Sequence, residues 1–126
     1  MTLFLGLDVG TQGTKGVVLD AETGRVVARA SAAYGLLEGL GPGVCEQRPS
    51  TWVDAVRAMA AELRAGVGVG AARFAGVGVS GQQDGLVVLD AAGEVVRPAK
   101  LWCDTSTAVE ARELSEAFGQ PVPTGY

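Results

Sequence analysis

The chain has 126 residues, enough to bury a core of its own, and at 48% hydrophobic against 19% charged it reads as globular rather than disordered. The formal net charge is −4 and no two basic residues are adjacent, which argues against nucleic acid or an anionic membrane as the main partner. Histidine is absent, so acid–base chemistry, nucleophile activation or metal ligation through imidazole is excluded within this chain.

The first predicted elements are two strands around a polar turn. Leu3 to Val9 is apolar except for Asp8 near its end, and Val17 to Leu19 is a second aliphatic run. Gly10, Thr11, Gln12, Gly13, Thr14 and Lys15 lie between them and read as a tight glycine-bearing hairpin turn. A carboxylate at the end of an apolar strand is costly to bury without a partner, and a metal ion would supply one. Glycines let the backbone approach a ligand, and successive turn amides, two threonine hydroxyls and a lysine suit an anion. Metal-binding carboxylate beside phosphate turn is hardware for nucleotide phosphates. The plainer alternative is an ordinary hairpin whose Asp8 caps its turn. No G-x-x-x-x-G-K-[ST] occurs, and the turn leads to a strand, so this is not a P-loop.

A turn at Ala21–Gly24 leads to a third strand, Arg25–Ala33, with alternation at Val26, Ala28 and Ala30; residues 35–49 read as a long irregular loop. A helix follows, with Ser50 or Thr51 as N-cap and Thr51 and Asp54 as an approximate capping box. Its apolar stripe is Trp52, Val56, Met59 and Leu63, read as core, and Gly66 is its stop. Phe74–Ser80 is the next strand, its small residues suited to close packing. Gly76, Gly78 and Gly81 match G-x-G-x-x-G, but another strand, Leu86–Leu89, follows instead of a helix, so a dinucleotide fold is rejected. A turn at Asp90–Glu94 and a return strand from Val95 to Arg97 complete an inserted hairpin, and Pro98 limits the return strand to an edge or a bend. A last helix is predicted from about Ser106 to Phe118. Thr107 and Glu110 fit its capping box, Ala111, Leu114 and Phe118 its stripe, and Gly119 its stop.

The predicted fold class is α/β. A three-strand antiparallel meander, a helix and a further strand open a ribonuclease-H-like sheet, left incomplete, and an inserted hairpin and a helix follow. Cys45 and Cys103 are isolated and read as reduced structural thiols rather than a zinc site or a redox pair. No leader and no membrane-length apolar run is visible, so a cytoplasmic protein is expected.

The stretch Asp8–Lys15 resembles the first phosphate motif of the actin-like ATPases. Three further stretches, Gly78–Gly85, Arg97–Asp104 and Pro121–Tyr126, extend the likeness. In this order and spacing the four resemble the N-terminal part of an FGGY-type carbohydrate kinase, nearest to its xylulokinase branch. Chaperone and actin relatives would not be expected to carry the second and third stretches. The resemblance covers residues 1–126 as part of the first of two lobes.

It implies phosphoryl transfer from ATP, with Mg2+, to a primary hydroxyl of a ketose such as D-xylulose. Carried over residue by residue, Asp8 is the Mg-linked aspartate that supports transfer. Gly10, Thr11, Gly13, Thr14 and Lys15 border the ATP phosphates; Gln83, Asp84, Trp102 and Asp104 stand at the sugar. The family's catalytic base, adenosine site and second phosphate motif lie beyond Tyr126. The chain alone is therefore expected to be inactive, with the rest of the kinase or a second copy as its partner. One departure bears on substrate. Xylulokinases usually carry histidine where Asp84 stands, whereas glycerol kinases carry an acidic residue, and an ionised carboxylate only accepts hydrogen bonds. Glycerol or another polyol is thus the alternative substrate, and a non-catalytic binding module the alternative role. Gln82–Gly85 also reads as a plain polar connection, and Trp102 as a core residue.

Overall fold

The computed structural model describes residues 1–68 and 74–124, which divide into two compact units. The first unit comprises Met1–Gly35 and Ser50–Gln82. Its strands are β1 (Leu3–Val9), β2 (Gly13–Asp20), β3 (Arg25–Ala33) and β5 (Phe74–Gly81), in the sheet order β3-β2-β1-β5. β4 (Glu46–Gln47) belongs to the second unit. β1 runs antiparallel to β2 and parallel to β5, and β2 antiparallel to β3.

Alternation decides the two faces of this sheet. Leu3, Leu7 and Val18 are buried on one face, where Leu63 of helix α1 (Pro49–Gly66) joins Leu3 and Val18 in one cluster. Each such side chain contributes about 1.5–3 kcal/mol on burial. Gly16 makes the close seat possible. A Cβ there would stand 2.8 Å from Leu63 Cδ1 and 3.4 Å from Met59 Cε, so the ends of those side chains would have to give way. Phe4, Gly6 and Asp8 alternate onto the opposite face.

Two expectations change in this unit. β3 does not bury Val26. The β2–β3 register shifts between Val18 and Leu19, so Val26 faces Leu19 and both are exposed, while Ala28, Ala30 and Ala32 are half-buried. Helix α1 starts at Pro49, earlier than the expected caps Ser50 and Thr51, because proline suits the first helical position. Thr51 and Asp54 therefore lie inside the helix and form no capping box across its start.

The second unit comprises Leu36–Pro49 and the described residues from Gln83 onward. The expected loop 35–49 contains β4, which pairs antiparallel with β6 (Ala99–Lys100) through Glu46–Lys100 and Gln47–Ala99. The expected strands at 86–89 and 95–97 reduce to the bridges Leu86–Lys100 and Leu89–Val95. Their side chains are mostly exposed, so no buried face extends the ladder. Asp90 shapes the turn between them, accepting from the amides of Ala92 and Glu94 at 2.9 Å each. Helix α2 spans Ala108–Phe118. Thr107 makes no side-chain capping bond, so the expected Thr107–Glu110 box does not form, whereas Gly119 ends the helix in the left-handed conformation as expected. Of the predicted stripe only Ala111 is buried; Leu114 and Phe118 are exposed. Ser115 receives the Val122 amide at 2.9 Å, which fastens the following segment to the helix. Gly125 and Tyr126, the end of the fourth resembling stretch, lie outside the described residues. No helix among the described residues is long and apolar enough to cross a membrane.

Candidate functional site

β1 and β5 are parallel and finish side by side at Val9 and Gly81. Carboxyl ends of parallel strands are where open α/β sheets place ligands. The turn between β1 and β2 sits there. It is closed by the Gly10 amide donating to Gly13 O at 3.0 Å. Gly13 admits no side chain, because a Cβ would fall 2.7 Å from the Ala32 carbonyl oxygen. Two residues outside the hairpin fasten the turn. The Gln82 amide donates to Val9 O at 2.9 Å, and Thr11 Oγ1 donates to Gln82 Oε1 at 3.0 Å. From the β3 side, Tyr34 donates its amide to Gln12 O and its hydroxyl to Gly10 O.

Asp8 pairs across the sheet with Lys15 on β2 and Ser80 on β5. The three residues stand at one end of an open trough of about 500 Å³, whose floor includes Gly6 and Gly78 and whose flank includes Val17. Gly6 and Gly78 are themselves register partners, so two adjacent positions lack side chains and the trough is deepened there. Asp8 is exposed. Contrary to the expectation from sequence, burial does not oblige Asp8 to find a partner: α1 covers the other face, and Asp8 stands on the open one.

No group of three or more His, Cys, Asp or Glu residues among the described ones is placed to hold a metal. From this unit a cation would draw one carboxylate, Asp8. That donor set fits Mg2+, which is bound through one or two carboxylates and completes its shell with phosphate oxygens and water.

Asp8, Gly10, Thr11, Gly13, Thr14 and Lys15 therefore gather in the first unit. Thr14 differs from the rest: it is fully buried, and its hydroxyl lies 2.9 Å from that of Tyr34. Gln83, Asp84, Trp102 and Asp104 belong to the second unit. Asp84 is exposed and holds φ at 55°, the left-handed region that few residues other than glycine adopt. Trp102 is 39% exposed, so it is not a core residue. Asp104 is 4% exposed and organises its surroundings. Its Oδ2 accepts from the Cys45 amide at 2.8 Å, and its Oδ1 from the Ser106 amide at 3.0 Å and the Ser106 hydroxyl at 2.6 Å. Lys100 Nζ approaches both oxygens, at 3.2 and 3.1 Å. Burial pulls the Asp104 pKa upward, but the Ser106 hydroxyl, the Cys45 amide and the Lys100 ammonium outweigh it and hold the carboxyl at about 2. Glu46 pairs with Arg97 and, at 3.5 Å, with Lys100. A hydrogen bond that the Cys45 thiol donates to Cys103, with burial, raises the Cys45 pKa, and both cysteines are free.

Sequence reasoning did not pick out Ser80, Gln82 or Tyr34 as neighbours of the β1–β2 turn and Asp8. Ser80 becomes legible once β5 is paired in parallel with β1, because it then falls opposite Asp8. Tyr34 gives no local signal, since its partners lie 20 and 24 residues away.

Residues 3–122 match the N-terminal domain of the FGGY family of carbohydrate kinases. A xylulose kinase from Streptomyces coelicolor is 45% identical over 117 residues, which are 93% of this chain and 23% of that protein. The crystal structure of a xyloylose kinase from Brucella ovis superimposes with a TM-score of 0.82 at 37% identity, over 93% of this chain and 24% of the other. A xylulose kinase from Rhodospirillum rubrum gives 0.81 at 35% identity, over 92% and 24%. The chain thus spans about a quarter of the length of these relatives. The sheet order and the single crossover helix agree with the ribonuclease-H-like, actin-like ATPase architecture expected from sequence, incomplete in this chain.

Proposed function

The chain belongs to the FGGY family of carbohydrate kinases, and we propose that the complete protein transfers the γ-phosphoryl group of ATP to a primary hydroxyl of a ketose, with D-xylulose the first candidate. The observation that carries this reading is Asp8 on the open sheet face, in register with Lys15 and Ser80, beside a turn too crowded at Gly13 for any side chain. In that reading the backbone of Gly10, Thr11 and Gly13 shapes the phosphate site. Thr14 supports it from below, and Lys15 offers a mobile positive charge. Asp8 would hold Mg2+, which when bound neutralises phosphate charge. Transfer of this kind depends on positioning and charge stabilisation from both sides of the phosphate chain, so the remaining lobe is the partner we assign to this chain. The outer edge of β5, with exposed Val77 and Val79, is where that remainder or a second copy would pair. A kinase that draws on ATP in this way would work in the cytoplasm, which is the compartment we assign to it.

On the substrate side we assign Gln83, Asp84 and Trp102 to the sugar. Asp104, with both oxygens engaged inside its own unit, would act by fixing the segment that carries Trp102. Asp84 combines exposure with a strained backbone, a pairing that marks functional positions. Asp84→His is expected to keep the fold, because histidine also tolerates the left-handed region. It is also expected to shift kcat/KM in the complete kinase toward xylulose and away from polyols, since an imidazole can donate to a hydroxyl. A substrate panel whose ranking does not move would remove Asp84 from the sugar site and favour the reading as a plain connection.

The 126-residue chain by itself is expected to show no sugar-dependent ADP release at rates typical of enzymes, about 1 per second or faster. Such turnover would mean that this segment already supplies the catalytic base, with Asp84 and Asp104 the first residues to mutate. Turnover absent from the complete protein as well, on every ketose and polyol tried, would favour a non-catalytic binding module.

A further inference from the structure

Tyr34, at the end of β3, makes three hydrogen bonds to one short stretch. Its amide donates to Gln12 O at 3.2 Å, its hydroxyl donates to Gly10 O at 2.8 Å, and that same hydroxyl lies 2.9 Å from Thr14 Oγ1. A phenol carries a single proton. Because that proton goes to Gly10 O, Thr14 must be the donor in the third bond. The hydroxyls therefore form a directed chain, Thr14 to Tyr34 to Gly10. Thr14 is fully buried, and no buried side-chain polar atom among the described residues lacks a partner. Its proton is committed inward, to Tyr34, and its contribution to the turn is to support it from below.

We propose that Tyr34 is a positioning residue of the phosphate turn, fixing Gly10–Thr14 from the β3 side as Gln82 fixes it from the β5 side. This rests on the reading of that turn as the ATP phosphate site. A turn held on both sides enters the complex with its amides already arranged, so less ordering is lost on binding. Removing the Tyr34 hydroxyl frees the Gly10 carbonyl and leaves the buried Thr14 hydroxyl without its acceptor. The ring, which is half-buried, stays in place in a phenylalanine.

The test is Tyr34→Phe, in this chain and in the complete kinase. In the chain, hydrogen exchange is expected to quicken at the Gly10 and Tyr34 amides while the β1 and β2 amides of Leu5 and Val18 keep wild-type protection. In the complete kinase, KM for Mg-ATP is expected to rise roughly five- to tenfold, the effect of one to two hydrogen bonds, while KM for the ketose stays put. A general loss of folding would instead slow the enzyme without separating the two KM values and would expose Leu5 and Val18 together with the turn. Unchanged exchange and an unchanged KM for Mg-ATP would overturn the role of Tyr34. Faster turn exchange with an unchanged KM for Mg-ATP would overturn it as a device for binding. If the wild-type kinase shows no dependence on ATP at all, the phosphate reading fails, and faster exchange at Gly10 would still establish the tether.

Discussion

Asp8→Asn in the complete kinase is expected to lower kcat by roughly 10²–10³-fold, the range seen when one preorganised electrostatic contact to a reacting centre is lost. The substitution keeps the shape and one oxygen of the side chain but removes its charge. Asp8 is exposed, and its strand is held by pairing with β2 and β5 rather than by its side chain. The fold therefore has little to lose, and the melting temperature is expected to stay within a few degrees of wild type. A rate defect without a stability defect separates a role toward metal and phosphate from a role in turn formation. If Asp8 merely capped the turn, the order would reverse: stability would fall by about 1 kcal/mol and turnover would survive. Near-normal kcat in Asp8→Asn would refute the assignment outright. A partial rescue at raised Mg2+ would support it, because a weaker ligand shifts the metal's apparent affinity before it abolishes the site.

The turn of the candidate site was legible because it is local. Asp8, the glycines and the threonines fall within eight residues, and the physical demands of a turn between two strands are written into that spacing. The strands and α1 were legible for the same reason: Leu3–Val9 and the Met59–Leu63 stripe satisfy one period each. What escaped depended on pairing between distant segments. The β3 bulge that turns Val26 outward is set by the partner strand. β4 is two residues long and exists only through β6, 50 residues or more away in the chain. The stripe of α2 was legible as a pattern but not as a core, since Leu114 and Phe118 remain exposed. Periodicity states which face would bury, not whether anything covers it. In the second unit, Asp84 was visible as an unusual residue. Its positive φ, which gives it a physical claim to function, was not.

Asp104→Ala carries the largest expected cost in stability, and it has a pH signature. The carboxylate accepts from the Cys45 amide, from the amide and hydroxyl of Ser106 and from Lys100, and so joins the β4 segment to the stretch after β6. Truncation strands the Cys45 and Ser106 amides and leaves the largely covered Lys100 ammonium with Glu46 as its one carboxylate partner among the described residues, at a cost on the order of 2–4 kcal/mol. That is a large share of the stability of a small domain. Asp104→Asn, which keeps an acceptor oxygen, is expected to cost less. Denaturant unfolding measures both, and exchange at the Leu101 amide, bonded to Cys45 O at 3.0 Å, reports the segment directly. The sign of the pH dependence follows from the carboxyl being held at about 2 in the folded chain against an ordinary value near 4. As pH falls, the unfolded chain takes up the proton first, so the contribution of Asp104 is complete above about pH 5 and disappears as pH drops toward about 2. The stability gap between wild type and Asp104→Asn should therefore be flat above pH 5 and shrink steadily below it. A gap that persists undiminished at pH 2 would mean that the shape of the side chain, not its charge, holds Cys45 and Ser106 in place.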